Sequence, residues 1–336
     1  MEIGWKPVLA ALLLGIIIPQ VMVSLGSRAG RQGAPDPQQT LPQTEPVIQT
    51  DAPASAEPEE NAKVYLPVQT GENSVCVMEL EAYTLGVLLA EMPASFEEEA
   101  LKAQAVVART YALRRLTLWD KHLSAAICTE SYCCQAYLSP EEYLLSRGTQ
   151  QDIDKISSAV RKTQGLVLTY QGALAEATYY ACSGGRTEDA AAVWGADIPY
   201  LQAVDSPGEE HAQGYRDTVY FKSREFADAL GRTMTGAPAS WLGKVTYTQG
   251  GGVASMMIGG ISYSGTQLRQ MLKLNSTAFT MTADEGGITV TTRGKGHRVG
   301  MSQYGADAMA VTGCSYDAIL AHYYPGTVID KFPNIG

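Results

Sequence analysis

The stretch Leu85-Gly86-Val87-Leu88-Leu89-Ala90-Glu91-Met92-Pro93 reads as the end of an apolar helix that closes on one carboxylate and is stopped by a proline. A second helix is expected from Ala94 to Leu116. Ser95 and Glu98 match a capping box, and Glu97 and Glu99 add negative charge to its first turn. Alanines alternating with Val106, Val107, Tyr111 and Leu113 give that helix a close-packing face. A glutamate held at an elbow between two helices suits a general acid. The helix C-terminus and the apolar neighbours Leu89, Met92 and Phe96 both disfavour its charge, whereas the start of the next helix would favour it. The bland alternative is a surface carboxylate at a helix end.

On either side of the elbow the pattern continues. Ser74 to Met78 reads as a strand and Leu80 to Met92 as the first helix. Leu166–Tyr170 and Leu174–Tyr180 alternate around Gln171-Gly172, the pattern of a β-hairpin that delivers the chain into Cys182-Ser183-Gly184-Gly185. Residues 206–290 carry weak strand signals and many Gly, Ser and Thr residues, consistent with a second lobe. The expected class is α+β: mixed helices and β-hairpins around a groove. Its 336 residues and 45% hydrophobic content allow a sizeable core.

The net charge of −10 lacks the basic footprint of a nucleic-acid binder. Part of it belongs to residues 27–62, with six acidic and two basic residues. That Pro-, Gln-, Ala- and Glu-rich segment reads as a disordered linker. Ahead of it, Val8 to Leu25 is apolar but for Pro19, Gln20 and Ser24, which makes residues 1–26 a candidate transmembrane anchor or signal peptide. The length of the run and the lack of a clean small-x-small site favour the anchor. Lys6 before the run and Arg28 and Arg31 after it leave its orientation open. The folded region is expected from Lys63 to residue 336.

Three further segments carry chemistry. His122, Cys128 and Cys134 fall at spacings of six, with Cys133 spare or fourth; imidazole plus thiolates is a zinc ligand set. A disulfide and reduced structural thiols are the alternatives. In Ser183-Gly184-Gly185, glycines let backbone N–H groups approach a ligand, or simply make a turn. No GxSxG elbow surrounds Ser183, which argues against a serine nucleophile. Gly294 to Ala306 is a glycine-rich loop whose His297, Ser302, Gln303 and Tyr304 suit a hydroxyl- and amide-rich ligand such as a sugar, or a structural loop with a satisfied histidine.

Together these segments resemble the stage II sporulation protein D family. The matching pieces are Ala90 to Phe96, Glu99 to Ala112, Ser183 to Glu188 with Val193-Trp194, Pro199-Tyr200-Leu201, Gly296-His297 through Gly305, and His322 to Thr327, in family order across about residues 75–330. The resemblance implies a lytic transglycosylase that cuts peptidoglycan glycan strands during forespore engulfment, with Glu91 as the catalytic acid. It implies that Ser183, Gly184 and Gly185 and the His297–Tyr304 loop line the glycan groove, and that His122, Cys128 and Cys134 hold a metal, zinc by their chemistry. As partners it implies a sporulation amidase (stage II sporulation protein P) and a membrane protein (stage II sporulation protein M). It places a single-pass anchor in the mother-cell membrane, with the catalytic domain in the intermembrane space. Where the family usually has glycine after the histidine, this chain has Arg298, expected to narrow the groove or to contact a carboxylate. The rival readings are a non-catalytic amidase-enhancing module and a zinc hydrolase with Glu91 as base.

Overall fold

Helix α1 (Leu80–Glu91) begins where the Glu79 side chain accepts the Ala82 N–H at 3.0 Å. It ends at Glu91 because Met92, ahead of Pro93, adopts an extended conformation (φ −110°, ψ 130°). Leu80, Tyr83, Val87, Leu88 and Leu89 are all buried along it. Helix α2 (Glu98–Leu118) is the spine of the molecule: its alanines let α1, the helix Gln150–Lys162 and the strand Leu166–Tyr170 approach closely. The structure is a computed structural model and describes residues 63–332 except Asn73 and Arg147. The expected anchor at residues 1–26 and linker at 27–62 lie outside the described residues. Among the described residues no helix is long and apolar enough to cross a membrane.

The expected Ser95–Glu98 capping box does not form. The chain turns at Pro93, whose carbonyl accepts the Phe96 N–H, so α2 starts only at Glu98 with Glu97 as its uncapped flank. Its orphan donor is satisfied from a distance instead: Asp307 Oδ1 accepts the Glu97 N–H at 2.7 Å. Deep in the spine, the fully buried Arg109 donates Nε and Nη2 to Glu81 at 2.8 and 2.6 Å, and Nη1 to the Leu166 carbonyl at 2.9 Å. This bidentate pair fixes the start of α1 against the middle of α2, and so sets the angle of the elbow.

Around the spine lie small sheets. Tyr65–Gly71 pairs antiparallel with Ser74–Glu79 and parallel with Ile127–Cys128. The Gln171-Gly172 turn, both residues at positive φ (52° and 80°), joins Leu166–Tyr170 to Ala173–Leu174. The hairpin is shorter than expected: its second arm stops at Leu174, and Tyr179–Tyr180 pairs instead in parallel with Met301–Ser302. That pairing brings the glycine-rich loop of residues 294–306 beside the chain entering Ser183.

A second hydrophobic cluster, separate from the one around α2, contains Phe226, Trp241, Ile258, Leu268, Phe279 and Val290. Two three-stranded antiparallel sheets enclose it: Leu242–Tyr247, Val253–Ile258 and Ile261–Ser264, then Ala278–Ala283, Gly287–Arg293 and Arg216–Lys222. The architecture is α+β throughout.

Candidate active-site cleft

Glu91 sits at the elbow, half-buried. Its Oε1 accepts the Ala136 N–H at 3.0 Å. Burial raises its pKa above the ordinary glutamate value, while the Ala136 N–H and the nearby Gln303 amide pull it back. Gln303 reaches the carboxylate's neighbourhood without closing a hydrogen bond of good geometry, so its buried Nε2 has no partner. The opposing influence anticipated from the next helix N-terminus is thus supplied by a loop amide and a side-chain amide. The net direction is that of a carboxyl that keeps its proton more readily.

Glu91 opens into a cleft of about 950 Å³. Its lining includes Tyr111, Cys133, Cys134, Tyr180, Trp194, Arg269 and His297. The other carboxylate on the lining, Glu176, is engaged by Arg114 at 2.7 Å and by Arg115. His297 packs edge-on against the Tyr180 ring (centroids 5.4 Å apart) and at a tilt against Trp194 (5.3 Å). Its Nδ1 accepts the Val299 N–H at 3.1 Å. Burial, reinforced by the Arg269 charge, lowers its pKa to about 4, so at neutral pH it is an uncharged hydrogen-bonding ring.

The remaining expected groove residues are placed differently. The Ser183-Gly184-Gly185 turn wraps around an internal anion. Glu209, fully buried, accepts the Ser183 N–H at 2.7 Å, the Gly184 N–H at 3.3 Å and the Ser183 hydroxyl at 2.8 Å, together with the Cys182 thiol and the Ser206 hydroxyl. The backbone donors expected to meet a ligand are therefore consumed inside the protein. Gly184 (φ 75°) is required for a second reason: a Cβ there would lie 2.6 Å from the Gly294 nitrogen. Ser302, also fully buried, caps the helix Gln303–Val311 by accepting the Gly305 N–H at 3.2 Å. Tyr304 packs edge-on against Phe96 (4.9 Å) and His211 (5.7 Å). Of the seven expected groove residues, His297 lines the cleft, Gln303 stands beside Glu91, and Ser183, Gly184, Gly185, Ser302 and Tyr304 are absent from the lining.

Arg298 does not enter the cleft. It is buried at positive φ (67°), where glycine is at ease and arginine is not. Its guanidinium turns inward, donating to the carbonyls of Ser183 (2.7 Å), Arg186 (2.7 Å) and Gly250 (2.8 Å) and to the buried Glu188 (3.2 Å). The expected carboxylate contact exists; narrowing of the groove does not.

The candidate metal ligands converge. His122, Cys128, Cys133 and Cys134 hold their donor atoms within 4.8 Å of one another. His122 Nε2 lies 3.3 Å from Cys134 Sγ and 3.7 Å from Cys133 Sγ, and the two sulfurs are 3.9 Å apart. A tetrahedral zinc, with bonds of about 2.3 Å to sulfur and 2.0–2.1 Å to nitrogen, separates sulfur from nitrogen by roughly 3.5 Å and sulfur from sulfur by roughly 3.8 Å, within a few tenths of an ångström of these distances. The four residues fit that ion. Cys133, left as spare or fourth by spacing alone, joins because the Cys133 and Cys134 N–H groups both turn back onto the Glu130 carbonyl. Without a cation, burial pushes Cys134 up to about 12 and raises Cys128 as well; a bound dication reverses this and draws the thiols to thiolates. All six cysteines are free thiols, so the disulfide alternative for this cluster does not form.

Sequence reasoning passed over Trp194, 44% exposed at the cleft, Tyr132, 86% exposed on the cysteine loop, and Arg269 of the second lobe. Trp194 alone had a signal, since Val193-Trp194 is among the pieces that carry the family resemblance.

A family model described as Stage II sporulation protein matches residues 68–170, which span the elbow, α2 and the cysteine loop. Stage II sporulation protein D of Bacillus subtilis (strain 168) is 39% identical over 332 residues, 96% of this chain and 94% of that one. The protein of the same name from Bacillus amyloliquefaciens is 38% identical over 80% of this chain and 79% of its own. The amidase enhancer of Bacillus subtilis (strain 168) is 29% identical over 74% of this chain and 40% of its own length. The chain belongs to the stage II sporulation protein D family.

Proposed function

We propose that this protein is a lytic transglycosylase that cleaves the MurNAc–GlcNAc bond of peptidoglycan glycan strands, preferably peptide-free ones, during forespore engulfment in sporulation. One observation carries the reading. Of the two carboxylates on the cleft, Glu176 is tied to two guanidinium groups, whereas Glu91 has no ion pair among the described residues and a raised pKa. The cleft thus offers a single carboxyl outside any ion pair among the described residues.

Ordinary glycoside hydrolysis uses two carboxyl groups, one of them to activate water or to attack the sugar. One suffices if the attacking hydroxyl belongs to the substrate. In the proposed reaction the Glu91 carboxyl gives its proton to the glycosidic oxygen as the bond to C1 of the muramyl residue breaks. The carboxylate left behind takes the proton of the same residue's 6-hydroxyl, whose oxygen bonds to C1. The products are a free 4-hydroxyl on one fragment and a 1,6-anhydro end on the other, and Glu91 is reprotonated. The neutral His297 and the flanking Trp194 face offer hydrogen bonds and stacking to the sugars.

A zinc ion would be held by His122, Cys128, Cys133 and Cys134, and when bound it would crosslink the loop of residues 120–134 beside the cleft. Four protein ligands close its coordination, which suits a structural role and disfavours the zinc-hydrolase reading. Extracytoplasmic placement on a membrane anchor, and partnership with an amidase and a membrane protein (stage II sporulation proteins P and M), are part of the proposal. The relative named amidase enhancer keeps a second reading in play, that of a glycan-binding module without cleavage.

Mass spectrometry of products from purified protein and peptide-free strands decides between them. Anhydro-ended fragments from the wild type and none from Glu91→Gln support the transglycosylase. Reducing ends, or an undiminished Glu91→Gln, overturn it.

A further inference from the structure

Most ionisable side chains on the cleft have a counterpart. Arg115 and Glu176 neutralise one another. Lys121 donates to the Tyr111 hydroxyl at 2.9 Å and to the Cys133 carbonyl at 2.6 Å, next to the thiol cluster whose charge it would offset with zinc bound. Glu91 is the acid. Lys121 aside, Arg269 and Lys295 also have no carboxylate partner among the described residues.

Arg269 lies in the last turn of the second-lobe helix Gly265–Met271 and is half-buried. Its Nε donates to the Leu274 carbonyl at 3.3 Å, which orients the guanidinium, and its terminal N–H groups have no partner among the described residues. A partly desolvated cation without a counter-charge is unfavourable unless a ligand completes it. Lys295 belongs to the same wall, because the adjoining Gly296 N–H donates to the Asn275 carbonyl at 3.0 Å. The lining they share also holds Trp194 and His297, suited to the face and hydroxyls of a sugar. The complementary ligand is therefore a sugar that carries a carboxylate. The planar guanidinium fork matches a carboxylate better than a lysine ammonium does.

Resting on the glycan-strand reading above, we infer that Arg269, assisted by Lys295, forms a subsite for the free 3-O-lactyl carboxylate of a muramyl residue. On a strand that still bears stem peptides that carboxyl is an amide and its charge is gone; on a stripped strand it is an anion attached to the ring itself. The cleft thereby distinguishes peptide-free from peptide-bearing glycan at the sugar, through a residue supplied by the second lobe.

The test measures dissociation constants on a Glu91→Gln background, with zinc present and with Arg269 intact, changed to Gln or changed to Lys. One probe is peptide-free glycan strands. The other is the same strands with their lactyl carboxyls converted to primary amides by carbodiimide and ammonium. Amidation is expected to weaken binding about tenfold. Arg269→Gln should weaken binding to the acid strands by a similar factor while leaving the amidated strands unaffected, and Arg269→Lys should fall between. Thermal midpoints of the variants report that they are folded. Equal weakening on both probes, or no effect of amidation, overturns the subsite. Cleavage by the wild type without any charge preference sinks the subsite alone; charge preference without cleavage sinks the transglycosylase chemistry alone; no binding to either strand sinks both.

Discussion

Glu91 at the elbow and Glu209 beneath the Ser183 turn are both carboxylates withdrawn from bulk water, and the protein treats them in opposite ways. Glu209 collects two backbone N–H groups, two hydroxyls and a thiol, and has nothing left to offer. Glu91 receives one backbone N–H at 3.0 Å and a glutamine amide that falls short of bonding geometry. A carboxylate that is fully satisfied holds a fold together; one left short of donors and facing a cleft can pick up a proton and pass it on. The difference lies in the surroundings, since the residue type is the same.

The largest effect that tests this contrast is on rate. Glu91→Gln should lower strand cleavage by about 10²–10⁴-fold, with the denaturation midpoint unchanged or slightly raised. Its stability sign follows from the direction of the shift. A folded-state pKa raised above the ordinary 4.5 contributes stability at low pH that is lost as pH rises through the raised value, so the neutral amide loses nothing at pH 7. Glu209→Ala should do the reverse, costing about 3–5 kcal/mol in chemical denaturation because several buried donors lose their acceptor at once. A rate loss from Glu209→Ala in protein that is still fully folded would undo the contrast.

With the proposed four-ligand zinc, the cysteine loop would belong with Glu209, among the parts that hold the fold. Stripping zinc should lower the midpoint and expose residues 120–134 to protease. At a hundredfold excess of free metal over its dissociation constant the stabilisation is about 2.7 kcal/mol, and activity should fail only as the protein unfolds. Activity lost at full structure would move the metal to the Glu91 side.

Smaller still is the effect of His297. Its pKa of about 4, below the ordinary 6.5, means that the unfolded chain binds a proton first. Its contribution to stability is intact above pH 6.5 and is lost as pH falls towards 4, by about 2 kcal/mol after allowance for its partial exposure. His297→Gln should flatten urea midpoints across that window. Finally, the cleavage rate should decline as pH rises through the raised pKa of Glu91, because the acid must begin protonated.

What was legible in the sequence was local. A proline after a helix and alanines along α2 each fix nearby geometry and are found as expected, and a histidine and three cysteines within thirteen residues converge, Cys133 among them though its spacing left it open. What was not legible depends on residues far apart. Nothing near Ser183 announces that its turn encloses Glu209, 26 residues later. The capping box yielded to Asp307, which lies 210 residues from Glu97. Arg269 emerged only once the second lobe was seen to supply part of the cleft wall. The hairpin's second arm alternates convincingly, yet Tyr179–Tyr180 finds a better partner in Met301–Ser302 because the two segments share a buried seam.

Arg298 has a consequence for ancestry. Its backbone sits where the family pattern has glycine, and its side chain neutralises Glu188, a position 110 residues earlier in the chain. The two cannot have arisen in either order with equal ease. Glu188 accepts the Gly252 N–H at 2.7 Å and the Thr248 hydroxyl at 2.8 Å, both on Oε1, and Arg298 has three carbonyls to donate to; what an arginine arriving first would add is a strained backbone where glycine sits at ease. Glutamate first, arginine second is the passable route. Among relatives, arginine after the histidine should therefore co-vary with an acidic residue at the position of Glu188, and glycine should tolerate either an acidic or a neutral one.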